Sequence, residues 1–156
     1  MRRHFILSTF TLALAGVALA ADGPYDEAAD AKAEIQQALA QAGAAKVPVL
    51  VVFGANWCGD CKMLDVAMKE GSIAPLVRRD YRVVKVDVGR FNRNTDIAEA
   101  YGVPLKKGIP SVAVLSPKGA VLYATQGGEL ADARQMGDSG LLDFFKKVSL
   151  GAPGKP

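Results

Sequence analysis

Val47-Pro48-Val49-Leu50-Val51-Val52-Phe53-Gly54-Ala55-Asn56-Trp57-Cys58-Gly59-Asp60-Cys61-Lys62-Met63-Leu64-Asp65-Val66-Ala67-Met68-Lys69-Glu70-Gly71 is the stretch on which the fold turns. Its first seven residues form an almost unbroken apolar run dominated by β-branched side chains, the pattern of a strand covered on both faces. Pro48 suits the start of such a strand. Gly54-Ala55-Asn56 reads as a turn, and Lys62 to Glu70 as a helix closed by Gly71. Two cysteines therefore stand where a strand ends and a helix begins.

Beyond this stretch, a short helix is predicted over 72–79, with Pro75 tolerated in its first turn. Tyr81 to Val88 reads as a second strand, reached through helix and hence parallel to the first. A polar loop over 89–94 leads to a helix from Thr95 to Tyr101 that Gly102 stops. After the segment 103–110 come two strands, 111–115 and 120–125, joined by a hairpin turn at Ser116-Pro117-Lys118-Gly119. Residues 127–137 carry no decisive pattern. A terminal helix is predicted over 141–148, with Leu141, Leu142, Phe144, Phe145 and Val148 on its buried side, and a disordered tail over 149–156. On the other side of the opening stretch, Ile35, Leu39 and Ala42 fall at helical spacing, so 26–42 reads as an amphipathic helix ending near Gly43, within an N-terminal helical extension over 21–46. This order predicts one α/β domain over 47–148, with a central mixed β-sheet flanked by helices. The chain has 156 residues, 50% hydrophobic and 22% charged, enough to bury a core without a covalent staple.

Residues 1–20 are set apart from the fold. Arg2 and Arg3 precede an apolar run from Phe5 to Leu19 that ends in Ala18-Leu19-Ala20, the pattern of a secretory signal peptide cut after Ala20. The run is short for a span of about 20 residues and is diluted by Ser8, Thr9, Thr11 and Gly16, so no stable membrane insertion is expected after cleavage. The expected location is periplasmic or secreted. Cleavage takes away two arginines and no acid, lowering the formal charge from +3 to +1. No nucleic-acid partner is expected on that balance, and Arg78-Arg79, Lys106-Lys107 and Lys146-Lys147 read as solvated surface.

The leader also holds the sole histidine, His4, so the mature chain has none. Ser-His-Asp hydrolysis, Cys-His proteolysis and histidine-ligated zinc are thereby excluded. Cys58 and Cys61 remain as the reactive groups. A helix N-terminus offers unpaired N–H groups and about half a positive charge, which favour a thiolate on Cys58. Cys58 is the expected attacking thiol. One turn further on, Cys61 lies on the same side and can resolve a mixed disulfide formed on Cys58. A purely structural disulfide is the competing reading, but closing so short a loop stabilises by only about 2 kcal/mol. Carriage of a soft ion such as Cu(I) by the two thiolates is another, although no usual zinc site can be completed.

The sequence resembles the thioredoxin family over about Val47 to Val148. The resemblance is carried by Phe53-Gly-Ala-Asn-Trp57-Cys58-Gly59-Asp60-Cys61-Lys62, by Val84-Lys85-Val86-Asp87-Val88, and by Gly108-Ile109-Pro110. It implies a thioredoxin fold, with Trp57 flanking the site and Pro110 as a cis-proline facing the disulfide. X-Pro bonds become cis at small cost, and such a turn would leave Ile109 free to pair with an extended substrate segment. The chain departs from the family in three places. Val52 stands where thioredoxins usually place a buried aspartate, six positions before the first cysteine, and without that acid the matching Lys85 is expected to extend to solvent. Gly59-Asp60 replaces the common glycine-proline, and the Asp60 carboxylate opposes a Cys58 thiolate while favouring the helix end. Pro104 to Lys107 make a longer connection beside the site than thioredoxins usually have.

The expected function is thiol–disulfide exchange with protein cysteines in the cell envelope, in the reducing or isomerising direction. No cofactor or metal is expected beyond the Cys58–Cys61 disulfide itself. The resemblance suggests a membrane-embedded thiol relay as electron donor. The alternatives are a dithiol oxidase of the same fold, a copper carrier using the same thiolates, and a non-enzymatic module that holds extended peptides at Pro110.

Overall fold

The computed structural model describes residues 23–151, and the predicted leader lies outside them. The described residues form five helices and four strands in the order α1 (Ala31–Ala45), β1 (Val49–Gly54), α2 (Gly59–Glu70), α3 (Ala74–Asp80), β2 (Arg82–Asp87), α4 (Thr95–Ala100), β3 (Ser111–Leu115), β4 (Val121–Ala124) and α5 (Ala133–Gly151). A 3-10 turn over Leu105–Lys107 precedes β3. The sheet order is β2-β1-β3-β4. β1 runs parallel to β2 and antiparallel to β3, and β3 is antiparallel to β4. This is the mixed sheet that the sequence predicts.

The apolar run at β1 forms a strand because every side chain on it is covered. Val49 to Phe53 are fully buried in the centre of the sheet. Alternate residues feed two cores. Val49, Val51 and Phe53 pack with Ile35, Ala38 and Ala42 of α1 and with Val84 and Val86 of β2. Leu50 and Val52 face Leu64 and Met68 of α2 and Leu141 and Phe145 of α5. Each such side chain contributes about 1.5–3 kcal/mol through burial, so the two faces together fix the register of β1.

Both ends of α1 and both ends of α5 differ from expectation. Helix α1 begins at Ala31, not Asp26, because the Asp30 carboxylate accepts the Ala33 N–H and caps it there. It then runs through Gly43 to a left-handed Lys46, and it packs on β1 and β2 as part of the same core. Helix α5 starts before the predicted 141 and continues past 148, turning at Gly137. The first residues assigned to a tail are thus helical. Ser149 is buried there, with its hydroxyl 2.8 Å from that of Tyr81. Residues 152–156 lie outside the described residues.

Candidate active site

Cys58 is the N-cap of α2, one residue before the helix begins. Its sulfur accepts the Cys61 N–H at 3.1 Å, the bond that a serine or aspartate makes at an ordinary helix start. Cys58 and Cys61 are joined as a disulfide, with Cα atoms 5.2 Å apart. Cys61 is fully buried, whereas Cys58 keeps 6% of its surface. The Ile109–Pro110 peptide bond is cis, and the Ile109 carbonyl oxygen lies 3.6 Å from Cys58 Sγ. Ile109 and Pro110 therefore stand against the outer sulfur, with both residues largely covered.

Trp57 is half exposed beside the disulfide. Its indole N–H donates to the Gly89 carbonyl at 2.8 Å, and Arg90 lies over its ring at 5.7 Å. Phe91 meets it edge-on at 6.0 Å. Phe91 is itself exposed and has a φ of 63°, a conformation that bulky side chains rarely adopt. From Phe91 an apolar groove continues along Val103, Pro104, Leu105 and Gly108. Pro104, Leu105 and Lys106 of the longer connection thus form one wall of a groove that begins at Phe91, against Trp57.

Gly59 and Asp60 occupy the first turn of α2, under the side chain of Arg134 from α5. The Arg134 N–H donates to Asp60 Oδ1 at 2.9 Å, and its guanidinium lies 3.1 Å from Oδ2. Burial pushes the Asp60 carboxyl up, but these bonds from Arg134 outweigh it and hold the group below the usual carboxylate range. Its charge is therefore largely answered by α5 and not directed solely at Cys58.

Lys85 corrects the sequence reading. Its ammonium does not extend to solvent but bonds Asp65 Oδ1, while Lys69 reaches Oδ2 of the same carboxylate at 2.9 Å. Asp65 is 7% exposed, on α2 one turn after Cys61. The partner lost at Val52 on the strand is thus supplied from the helix. The signal was present, since Cys61 and Asp65 stand four residues apart and share a helix face.

Sequence reasoning also passed over Tyr25 and Asn56. The Tyr25 N–H donates to Asn56 Oδ1 at 2.9 Å, and Asn56 Nδ2 returns a bond to the Tyr25 carbonyl at 2.8 Å. The segment before α1 is thereby clamped to the turn that carries the cysteines. The Tyr25 ring is buried against Gly54, where a Cβ would fall 2.2 Å from its hydroxyl oxygen. Only glycine leaves that room. No signal in the local sequence announces this contact, because it joins residues far apart in the chain. Among the described residues, no group of three or more His, Cys, Asp or Glu side chains is placed to hold a metal ion.

A model of the thioredoxin-like family matches residues 30–117, more than half of the chain. A thioredoxin of Pseudomonas aeruginosa is 35% identical over 88 residues, which cover 56% of this chain and 71% of that protein. The chain belongs to the thioredoxin-like family of disulfide oxidoreductases. Among solved structures, this thioredoxin-like chain is similar to a disulphide isomerase from Xylella fastidiosa, with 47% identity and a TM-score of 0.78 over 81% of this chain and 97% of that one. A thioredoxin from Thermus thermophilus shares the fold at 21% identity, with a TM-score of 0.55 over 76% of this chain and 85% of its own. The family match begins at residue 30 and so spans α1 as well as β1.

Proposed function

We propose that this chain exchanges disulfides with protein cysteines in the cell envelope, working in the reducing or isomerising direction. The observation that carries the reading is the asymmetry of the disulfide. Cys58 caps α2 and faces the Ile109 carbonyl, while Cys61 is sealed beneath it. In the reduced protein the helix N-terminus and the Cys61 N–H favour a thiolate on Cys58. That thiolate attacks a substrate disulfide, one substrate sulfur leaves, and a mixed disulfide forms on Cys58. Cys61 then attacks Cys58 Sγ, closing the internal disulfide and releasing the second substrate sulfur as a thiol.

The polypeptide nature of the substrate is supported by the surface around Cys58. Ile109, beside Pro110, is placed for strand-like pairing with an extended segment, and the groove from Phe91 to Gly108 can take an apolar side chain next to the substrate cysteine. The similarity to a disulphide isomerase supports the direction. The leader-like residues 1–20 support export, and in an oxidising compartment a reductant of this kind needs electrons from a membrane-embedded thiol relay.

The test is the reduction potential of the Cys58–Cys61 pair, read by Trp57 fluorescence during equilibration in glutathione buffers. A value near about −270 mV is expected for a reductant. A value near about −120 mV would reverse the direction of flow, and the absence of any reversible two-electron couple would overturn the reading altogether.

A further inference from the structure

Cys61 must lose a proton before it can resolve a mixed disulfide, yet it is buried and the strand position used for an acid in thioredoxins is Val52. Asp65 stands close by, but its two carboxylate oxygens are each committed to an ammonium group, from Lys85 and Lys69. Two other polar groups are brought toward Cys61 by the fold. The Tyr25 hydroxyl and Cys61 Sγ both lie within 3.0 Å of the single point that a Gly54 Cβ would occupy. Asp87, at the end of β2, is the register partner of Gly54. Side chains alternate along a strand, so Asp87 projects on the same face as Lys85, which meets α2 through Asp65.

Asp87 is 4% exposed, and its Oδ1 has no hydrogen-bond partner among the described residues. A buried carboxylate oxygen left in this way is costly unless it has a task that the resting state does not show. Burial raises the Asp87 carboxyl above its ordinary range, making it a better proton acceptor than an ordinary surface aspartate. Burial also raises the Tyr25 phenol, with the carboxylates of Asp65 and Asp87 adding to the effect, so it stays neutral and is able both to donate and to accept a hydrogen bond.

We propose that Tyr25 and Asp87 handle the proton of Cys61, with Tyr25 positioning the sulfur by a hydrogen bond once the disulfide is open and Asp87 accepting the thiol proton. The inference rests on the exchange function proposed above. In the resolving step the Cys61 S–H proton passes by way of the Tyr25 hydroxyl to Asp87. The Cys61 thiolate attacks Cys58 Sγ, the Cys58–Cys61 bond forms, and the bond from Cys58 to the substrate sulfur breaks. The substrate sulfur leaves with the electron pair as a thiolate and takes a proton from solvent. The cysteine pair is oxidised and the substrate reduced. Asp65 is faced by Lys69 and Lys85, and Asp87 by Arg93, itself beside Glu27, with Asp87 Oδ2 also accepting the Gly89 N–H at 3.1 Å so that Oδ1 is the oxygen left to take the proton.

Reaction of the reduced chain with dithiobis(nitrobenzoate) separates the steps, because the coloured thiolate is released once when Cys58 attacks and again when Cys61 resolves. Tyr25→Phe, which keeps the ring, and Asp87→Asn are each expected to lower the ratio of the second rate to the first by about tenfold or more. Asp87→Asn is also expected to remove a limb from the pH profile of the second phase. An unchanged ratio in both variants would overturn the proposal. A drop in Asp65→Asn with none in Asp87→Asn would overturn the choice of acceptor. Absence of a second release from the unaltered chain would instead mean that the exchange function itself is wrong.

Discussion

The two sulfurs of one disulfide meet different surroundings, and the difference comes from which elements approach each. Cys58 faces outward onto backbone and aromatic surface: the Ile109 carbonyl, the half-exposed Trp57, and the Phe91 loop. Cys61 is sealed inside, with the Tyr25 hydroxyl from before α1 converging on the same point beside Gly54, the Asp65–Lys85 ion pair one turn further along α2, and Asp87 level with Gly54 on β2. An attacking thiol needs access and a stabilised charge, which a helix N-terminus beside a groove provides. A resolving thiol needs a route for its proton in a place that excludes competing thiols, which only a packed polar pocket provides.

The strongest way to break this comparison is to remove one sulfur at a time. Cys61→Ser is expected to trap mixed disulfides through Cys58, visible as adducts on non-reducing gels, whereas Cys58→Ser is expected to trap none. Equal trapping by both would erase the asymmetry. Gly54→Ala drives a methyl group into the Tyr25 hydroxyl, and overpacking of this kind costs about 1–3 kcal/mol. It should appear as a lower urea midpoint together with a slower resolving step. Lys85→Met leaves Asp65 with Lys69 alone, and losing one charged partner of a buried carboxylate is expected to cost about 1–3 kcal/mol in urea unfolding. No loss would mean that the Asp65 ion pair is idle.

A pH series sharpens the inner face further. Burial raises Asp87, and a carboxyl with a higher pKa folded than unfolded adds stability that is fully present below its unfolded value of about 3.9 and is lost as pH rises through the folded value. Stability of the unaltered chain should therefore fall relative to Asp87→Asn as pH climbs from acid toward neutral, measured by urea unfolding at each pH. Parallel curves would contradict a perturbed Asp87. The smallest effect belongs to the outer face. Arg134→Met removes the guanidinium from Asp60, leaving its charge freer to oppose a Cys58 thiolate. Exposed pairs are worth about 0.2–1 kcal/mol, so alkylation of Cys58 should slow by less than about fivefold.

The outer face was largely legible in the sequence because its signals are local. The apolar run of β1, the turn at Gly54 and the cysteines at a helix start follow one another within 25 residues, and the segment Gly108-Ile109-Pro110 carries its own conformational mark. The inner face was not, because strand register and a clamp across the chain create it. Strand register alone brings Asp87 level with Gly54, and the Asn56 clamp brings Tyr25. Lys85 shows the same limit from the other side, since its reading as solvated followed from the absence of an acid on β1 alone. Helix ends were misjudged where a cap or a turn overrode hydrophobic spacing, at Asp30 and at Gly137.

The measurement that bears most directly on the account is the alkylation of the two thiols in the fully reduced chain, followed by peptide mapping at neutral pH under limiting iodoacetamide. Modification concentrated at Cys58, with Cys61 reacting only after unfolding, is the expected result. Equal modification, or a faster Cys61, would contradict the assignment of attack to the outer sulfur and resolution to the inner one.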